Sequence, residues 1–322
     1  MINFGFFGFP NTSVKPLTDV AEFDSSGSYR IPQGCKLLYI FATSGGGGGG
    51  TGLATGTGVA TGSSYPGLGG MCGHQLVDVL SIGGEGTILD IIIGAGGAGM
   101  PGQTGSGYSP GLTSQEGGAT TISVRGRGTI MHMFTGNIAY HLSTEIRDNA
   151  TYIAPIFGLQ LAGNGRNSGG TYTDARDNSG VTGGTISAAN VATAGTSINK
   201  TSNTNNTYIS ASVTYGGTIL AGGANTGGEG ASFSSIAGTG TSTGGIYPTY
   251  FTIHKTTPQP NGRFSPGIGG AGGGANLTGN GGRGGNGYRG GGGGAGGSCR
   301  TGFTTGDGGR GGNGYCAIIP IG

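Results

Sequence analysis

The sequence predicts an all-β protein: a β-sandwich, jelly-roll-like in plan, with glycine-rich loops that form a bundle of polyglycine II helices. Three observations lead there. Short runs of β-branched and aromatic residues are bounded by glycine, which is how strands are punctuated. Helix signals are almost absent, and the best of them, at 139–149, is polar and flanked by glycine. Finally, 82 of the 322 residues are glycine, and toward the C-terminus they fall into a period of three.

The predicted strands are 36–41, 75–82, 87–93, 119–124 and 315–321. Asp78 and Asp90 alternate with apolar neighbours, which puts them on the solvent face of a strand. Several runs empty straight into glycine: Phe41 leads to 45–50 and Ile93 to 94–99, and the tract 307–314 feeds the last strand. With the first and last strands at opposite ends of the chain, one sandwich closes across the whole sequence.

The tracts read Asn280-Gly-Gly-Arg283-Gly-Gly-Asn286-Gly-Tyr288 and Asp307-Gly-Gly-Arg310-Gly-Gly-Asn313-Gly-Tyr315. Period three is the repeat of an extended left-handed helix rising about 3.1 Å per residue. Such a helix makes no internal hydrogen bonds, so its amides must pair with neighbouring segments or water. Glycine at two of three positions lets backbones lie side by side while Arg283, Asn286, Arg310 and Asn313 point outward. Gly and Pro together make 94 residues, a level at which disorder competes, and ordering glycine is entropically costly. Against disorder, only 9% of residues are charged and the net charge is +2, whereas disordered chains combine low hydrophobicity with high net charge. The tracts are therefore predicted to be ordered.

Three regions follow: an N-terminal docking segment, 1–26; a glycine-rich framework, 27–126 with 264–322; and an insertion rich in Thr, Asn and Tyr, 127–263. The insertion holds patterned pieces at 152–161 and 207–215. Its tyrosines either fill a second small core or form a recognition surface, because Tyr offers contact area at low entropic cost.

Several function classes are disfavoured. No run of about 20 apolar residues exists, so no membrane insertion is expected. The apolar start, with Phe4, Phe6, Phe7 and Phe9, lacks the basic region of a secretory signal and reads as a docking or core segment. Near-neutral charge argues against nucleic acid as a partner. Gly94-Ala-Gly96-Gly-Ala-Gly99 matches the dinucleotide fingerprint, with Glu116 downstream, but 100–110 cannot supply the helix that holds a pyrophosphate. No cofactor is expected. Cys72-Gly-His74 pairs two potential ligands without a second pair at finger spacing, so no metal is expected either. His132, His141 and His254 are scattered, and no Ser/His/Asp grouping arises; the chain does not read as an enzyme. Cys35, Cys72, Cys299 and Cys316 are expected as free buried thiols, with Cys35–Cys316 a candidate bridge between first and last strands. Asn-X-Ser/Thr matches at Asn11, Asn149, Asn199, Asn205 and Asn276 reflect composition.

The segment Tyr29-Arg-Ile-Pro-Gln-Gly-Cys35-Lys-Leu-Leu-Tyr-Ile-Phe41, followed by the glycines 45–50, resembles the opening of the glycine-rich domain of tailed-phage virion proteins. There a Pro-x-Gly turn precedes a hydrophobic strand that empties into polyglycine. Gly-Gly-Arg310-Gly-Gly-Asn313-Gly-Tyr315 and its apolar strand resemble that domain's close. The tracts are also similar to those of receptor-binding adhesins that cap the long tail fibres of some contractile-tailed phages. The resemblance covers 27–126 and 264–321, and the N-terminal segment and the insertion lie outside it.

The resemblance implies a virion protein exposed on the particle surface, a tail-fibre or tail-tip adhesin with no catalytic residues. On this reading Phe4, Phe6, Phe7 and Phe9 dock to other virion proteins. Rigid rods hold loops bearing Tyr65, Tyr108, Tyr247, Tyr250 and Phe251 against a host cell-surface protein or glycan, and rigidity lowers the ordering cost of binding. Virion fibres are often trimeric, although a polyglycine bundle can satisfy its amides within one chain, and heptads are absent. The competing readings are a capsid decoration or head-fibre protein, an ice-binding polyglycine II protein, and a tail depolymerase, for which no carboxylate motif is present.

Overall fold

The computed structural model describes residues 21–55, 65–67, 69–70, 72–105, 115–133, 180–187, 191–200, 218–232, 242–243 and 268–322. Among these the chain is all-β, with strands, one 3-10 turn at Leu80–Ile82 and no α-helix. One antiparallel sheet has the order β1 (Ala21–Phe23), β13 (Tyr315–Ile321), β3 (Leu37–Thr43), β5 (Cys72–Asp78). The other runs β2 (Gly27–Arg30), β6 (Ile88–Ile92), β7 (Thr120–Val124), β8 (Gly128–Met133), also antiparallel. The two sheets share a single core, where Leu38, Ile40 and Ile318 of the first meet Leu89, Ile91 and Ile122 of the second.

The strand sequences explain the difference between the sheets. β13 is apolar throughout and buried on both faces, and β3 nearly so, as continuous hydrophobic runs require. β6 and β7 alternate buried with less buried residues, so one face meets the core and the other faces outward. Asp90 sits on that outer face, and Arg125 at the end of the neighbouring strand donates to its carboxylate from Nε at 3.1 Å. All five predicted strands are present. β5 ends at Asp78, four residues before the expected limit, because the Asp78 carboxylate accepts the Leu80 N–H at 3.1 Å and opens the 3-10 turn. Gly83 follows that turn at φ 121°. The short strands β1, β2 and β8 carry glycine or charge and were not expected. β8 falls within 127–263.

Cys35, Cys299 and Cys316 are free and buried, which corrects the candidate Cys35–Cys316 bridge. Cys316 pairs across from Ala42, while Cys35 precedes Leu37 at the other end of β3. Seven residues of extended chain separate the two by roughly 20 Å, well beyond the Cα spacing a disulfide allows.

The glycine segments are extended and lie outside the sheets, joined by backbone hydrogen bonds with period three. In 290–298, Gly291, Gly294 and Gly297 donate to the carbonyls of Tyr288, Gly285 and Gly282. Gly293 and Gly296 donate to Gly47 and Gly50, and Ala295 and Ser298 to Val181 and Gly184. The same segment accepts from 67–70, 270–276 and 306–312, so it has six neighbours, at N···O distances of 2.6–3.0 Å. Segment 268–276 is surrounded in the same way. Each third residue faces the same neighbour, which is the geometry three residues per turn provides. Backbones approach so closely that a Cβ built on Gly294 would fall on the carbonyl of Ala271. Residues 180–187, 191–197 and 221–231, all within 127–263, hydrogen-bond into this network. A small apolar cluster of Val181, Ile198, Leu220 and Ile268 sits among them. Two minor sheets flank the segments: β4 (Ala54–Thr55) with β12 (Cys299–Arg300), parallel, and β9 (Ile198–Lys200), β10 (Thr218–Leu220) and β11 (Ser242–Thr243), antiparallel.

Candidate functional site

The glycine segments have a sheet end and a far end, and each carries a distinct side-chain cluster. At the sheet end Arg289 turns the chain between two segments, at φ 42°. Its guanidinium donates to both Asp24 oxygens, at 2.9 and 3.0 Å, and lies 3.8 Å from the Tyr315 ring centroid. Tyr288 stands 5.5 Å away on the same cation. The Tyr315 hydroxyl donates to Glu22 Oε1 at 2.6 Å, and Thr43 Oγ1 donates to the Arg289 carbonyl at 3.3 Å. Burial works against the charge of Arg289, but the Asp24 hydrogen bonds and the surrounding groups outweigh it, and its pKa rises further. Burial, then the bond to Glu22, pushes the Tyr315 hydroxyl far above its ordinary value. The cluster thus holds a fixed cation and a neutral phenol through the physiological range. It binds β1, β3 and β13 to the segment turn and suits mechanical fastening rather than proton transfer.

The far end is built from short polar bonds. Leu53 accepts from Cys299 N–H at 3.0 Å and donates its own N–H to Ser298 Oγ at 3.2 Å, which seeds the β4–β12 pair. Thr51 and Thr305 join their hydroxyls at 2.6 Å, and Thr305 Oγ1 also accepts the Gln103 N–H at 2.9 Å. Asn276 Nδ2 donates to the carbonyls of Thr226 and Asn280, at 3.0 and 3.1 Å. Beneath lies an apolar floor of Ile186, Ala192 and Ala275, with Leu53 and Leu277 against it. The turn 300–303 stands on top, closed by Phe303 N–H to Arg300 O at 3.1 Å, with Arg300 and Thr301 exposed. Gly302 there takes φ 96°. Burial raises the pKa of the Cys299 thiol, which makes it a poor nucleophile. This end offers a hydrogen-bonded platform of hydroxyls and amides, with the exposed Arg300 beside it.

Of the residues predicted to bind, Tyr65 is described. It is 37% exposed, and its carbonyl accepts the Gly50 N–H at 2.7 Å, which ties it near the far end. Tyr108, Tyr247, Tyr250 and Phe251 lie outside the described residues, as do Phe4, Phe6, Phe7 and Phe9. The described residues flanking Tyr108 are Gly105 and Gln115, and Gln115 donates to Ala98 O at 3.0 Å. Those flanking the other three are Thr243, which pairs with Ile219, and Ile268, whose carbonyl accepts the Tyr288 N–H at 2.9 Å beside the sheet-end turn. The fingerprint match at 94–99 has its own partners, since Gly94, Gly96 and Gly97 donate to Thr120 Oγ1, Asn313 Oδ1 and Gly46 O. The side chains of Cys72 and His74 are outside the description. No helix among the described residues is long and apolar enough to cross a membrane. Sequence reasoning missed the Arg289 cluster, whose members are brought together by the pairing of β1 with β13 and by the segment turn that lays Arg289 against Asp24 and Tyr315. Comparison with protein-family models and with curated proteins found no match to this chain.

Proposed function

We propose that this chain is a tailed-phage virion protein, a tail-fibre or tail-tip adhesin in which a jelly-roll-like sandwich carries a polyglycine II bundle and the far end meets the host surface. The observation that carries the reading is the six-neighbour, period-three hydrogen-bonding of 268–276 and 290–298, completed by bonds within one chain. Polyglycine II is the helix with three residues per turn and no internal bonds, and away from water only dense lateral pairing satisfies its amides. A scaffold of that kind invests its order in stiffness and leaves the chemistry to whatever stands on its end. The far-end platform of Thr, Asn and Arg, with Tyr65 beside it, suits a protein or glycan partner that is met by hydrogen bonds and aromatic stacking. The N-terminal aromatic segment serves as the attachment to other virion proteins.

Binding of the labelled protein to host cells tests this. Two variants are compared with the unaltered chain: Tyr65→Ala with Tyr108→Ala, and Tyr247→Ala with Tyr250→Ala and Phe251→Ala. Deleting 127–263 is not a usable control, because 180–187 and 221–231 hydrogen-bond into the glycine network. Saturable binding that falls at least tenfold in the first variant, with melting unchanged, is the expected result. Folded protein that binds no host cell would replace the adhesin with a decoration protein of the capsid.

A further inference from the structure

We propose that the outer face of segment 306–314 is a self-association surface held shut by its own polar side chains. Opening it would let a second copy of this chain add a glycine helix to the bundle. The proposal rests on the polyglycine II reading of the segments and is independent of host binding.

Among the described residues, 306–314 has four neighbours where 290–298 has six. Gly306, Gly309 and Gly312 donate to 290–298, and Gly308, Gly311 and Gly314 donate to 94–100. The segment accepts from Gly46, Gly49 and Gly52 and from Gly284, Gly287 and Gly290. The remaining third of the repeat is Asp307, Arg310 and Asn313, all exposed. Their side chains do what a missing segment's carbonyls would do. Asn313 Oδ1 accepts the Gly96 N–H at 2.9 Å, and Asp307 Oδ1 accepts the Gly102 N–H. On the other flank Asn286 Oδ1 accepts the Arg310 N–H, and Asn280 Oδ1 the Thr304 N–H, both at 2.9 Å.

The spacing explains the near-repeat in the sequence. Acceptors 307 and 313 are six residues apart, two turns of a three-residue helix, and so are the amides 102 and 96 that they serve. Acceptors 280 and 286 match 304 and 310 in the same way. The Arg310 guanidinium, between two acceptors, makes long contacts among the described residues, 3.4 Å to Gly96 O and 3.5 Å to Asn313 Oδ1. It contributes bulk and charge, which is how an exposed strand edge is also protected from pairing with another chain. Chain direction gives no further protection. Segment 290–298 lies parallel to 268–276 and antiparallel to 280–288, so a copy related by a two-fold axis fits the same lattice.

The decisive comparison is glycine against alanine. Asp307→Gly/Arg310→Gly/Asn313→Gly and the matching triple Ala variant lose the same acceptors, and only the glycine form also loses the Cβ atoms that keep a backbone away. Arg310→Gly and Arg310→Ala form a second pair that removes no acceptor and so leaves folding intact. Sedimentation velocity should show the triple-glycine variant at twice the mass of the unaltered protein or more, Arg310→Gly shifted the same way at higher protein concentration, and the alanine variants unchanged. Folded Arg310→Gly and triple-Gly proteins that keep the original mass would overturn the proposal, as would equal association of the alanine forms. Gly294→Ala separates this from the lattice reading: tolerance of that methyl group would count against the lattice itself.

Discussion

Arg289 combines an unfavourable backbone with a favourable side chain, and the balance can be measured. A non-glycine residue in the left-handed region costs roughly 1–2 kcal/mol. Against this stand the paired Asp24 bonds and the Tyr315 face, with the Arg side chain only 12% exposed but Asp24 62% exposed, so screening weakens the pair. Removing a partly buried cation and its ring contact is expected to cost about 2 kcal/mol. Urea unfolding should therefore rank the wild type above Arg289→Gly, and Arg289→Gly above Arg289→Ala, the last two about 1 kcal/mol apart because glycine relieves the strain. A glycine variant more stable than wild type would show that the side chain contributes less than its backbone strain costs. Buried neutral acids give a second prediction at this scale. Burial pushes the Cys316 thiol and the Tyr39 hydroxyl up, and burial followed by the nearby Cys35 raises Tyr29 to about 12. Raised folded values mean stability that is complete below the unfolded pKa values, about 8.5 for Cys and 10 for Tyr, and lost as pH rises toward the folded ones. Melting temperature should be flat through pH 8 and fall between 9 and 12, and Cys316→Ala should flatten the first part of that fall.

In the glycine segments, position within the period decides what a residue costs. Gly→Ala usually stabilises slightly by restricting the unfolded chain. At Gly294 the added methyl would meet the carbonyls of Ala271 and Gly270, backbone on backbone with no side chain to yield. We expect Gly294→Ala to lose about 3 kcal/mol, the upper end for overpacking, while Arg283→Ala, on the exposed third of the repeat, stays within about 0.5 kcal/mol. Equal denaturant midpoints for the two would contradict the lateral packing. The same rule shows what was legible in the sequence. The five apolar strands were, because β-branched runs between glycines leave little choice, and so was the outward direction of Arg283, Arg310 and Asn313, while Asn286 proved half-buried under its bond from Arg310. β1, β2 and β8 were not, since Gly27-Ser-Tyr-Arg30 has no pattern until Leu89 pairs with Tyr29. Segments 180–187 and 191–197 were hidden for a different reason. Only their close-approach positions need glycine, such as Gly184 and Gly195, and Val, Ile, Ala, Thr and Ser occupy most of the rest.

Across the whole molecule, the proposed function depends on whether sheets and glycine segments move as one body. The far-end platform could be read only piecemeal in the sequence, because Thr51 meets Thr305 and Leu53 meets Ser298 across some 250 residues. The coupling has the same origin. β13 lies between β1 and β3 in the sheet, and the residues just before it, 306–314, donate to 290–298 and 94–100. Arg289 fastens the turn between two segments to Asp24. Neither part therefore completes its bonding without the other, and folding waits on contacts of very large sequence separation, which makes it slow. Native-state hydrogen exchange tests the consequence. The amides of Gly291, Gly294 and Gly297 and those of Ile40 and Ile318 should exchange only through global unfolding, with one free energy and one denaturant dependence. Glycine amides that opened at lower energy while the strands stayed protected would make the glycine segments a separate, looser unit, and a loop on their far end would then lose the ordering advantage that rigidity gives to the proposed binding.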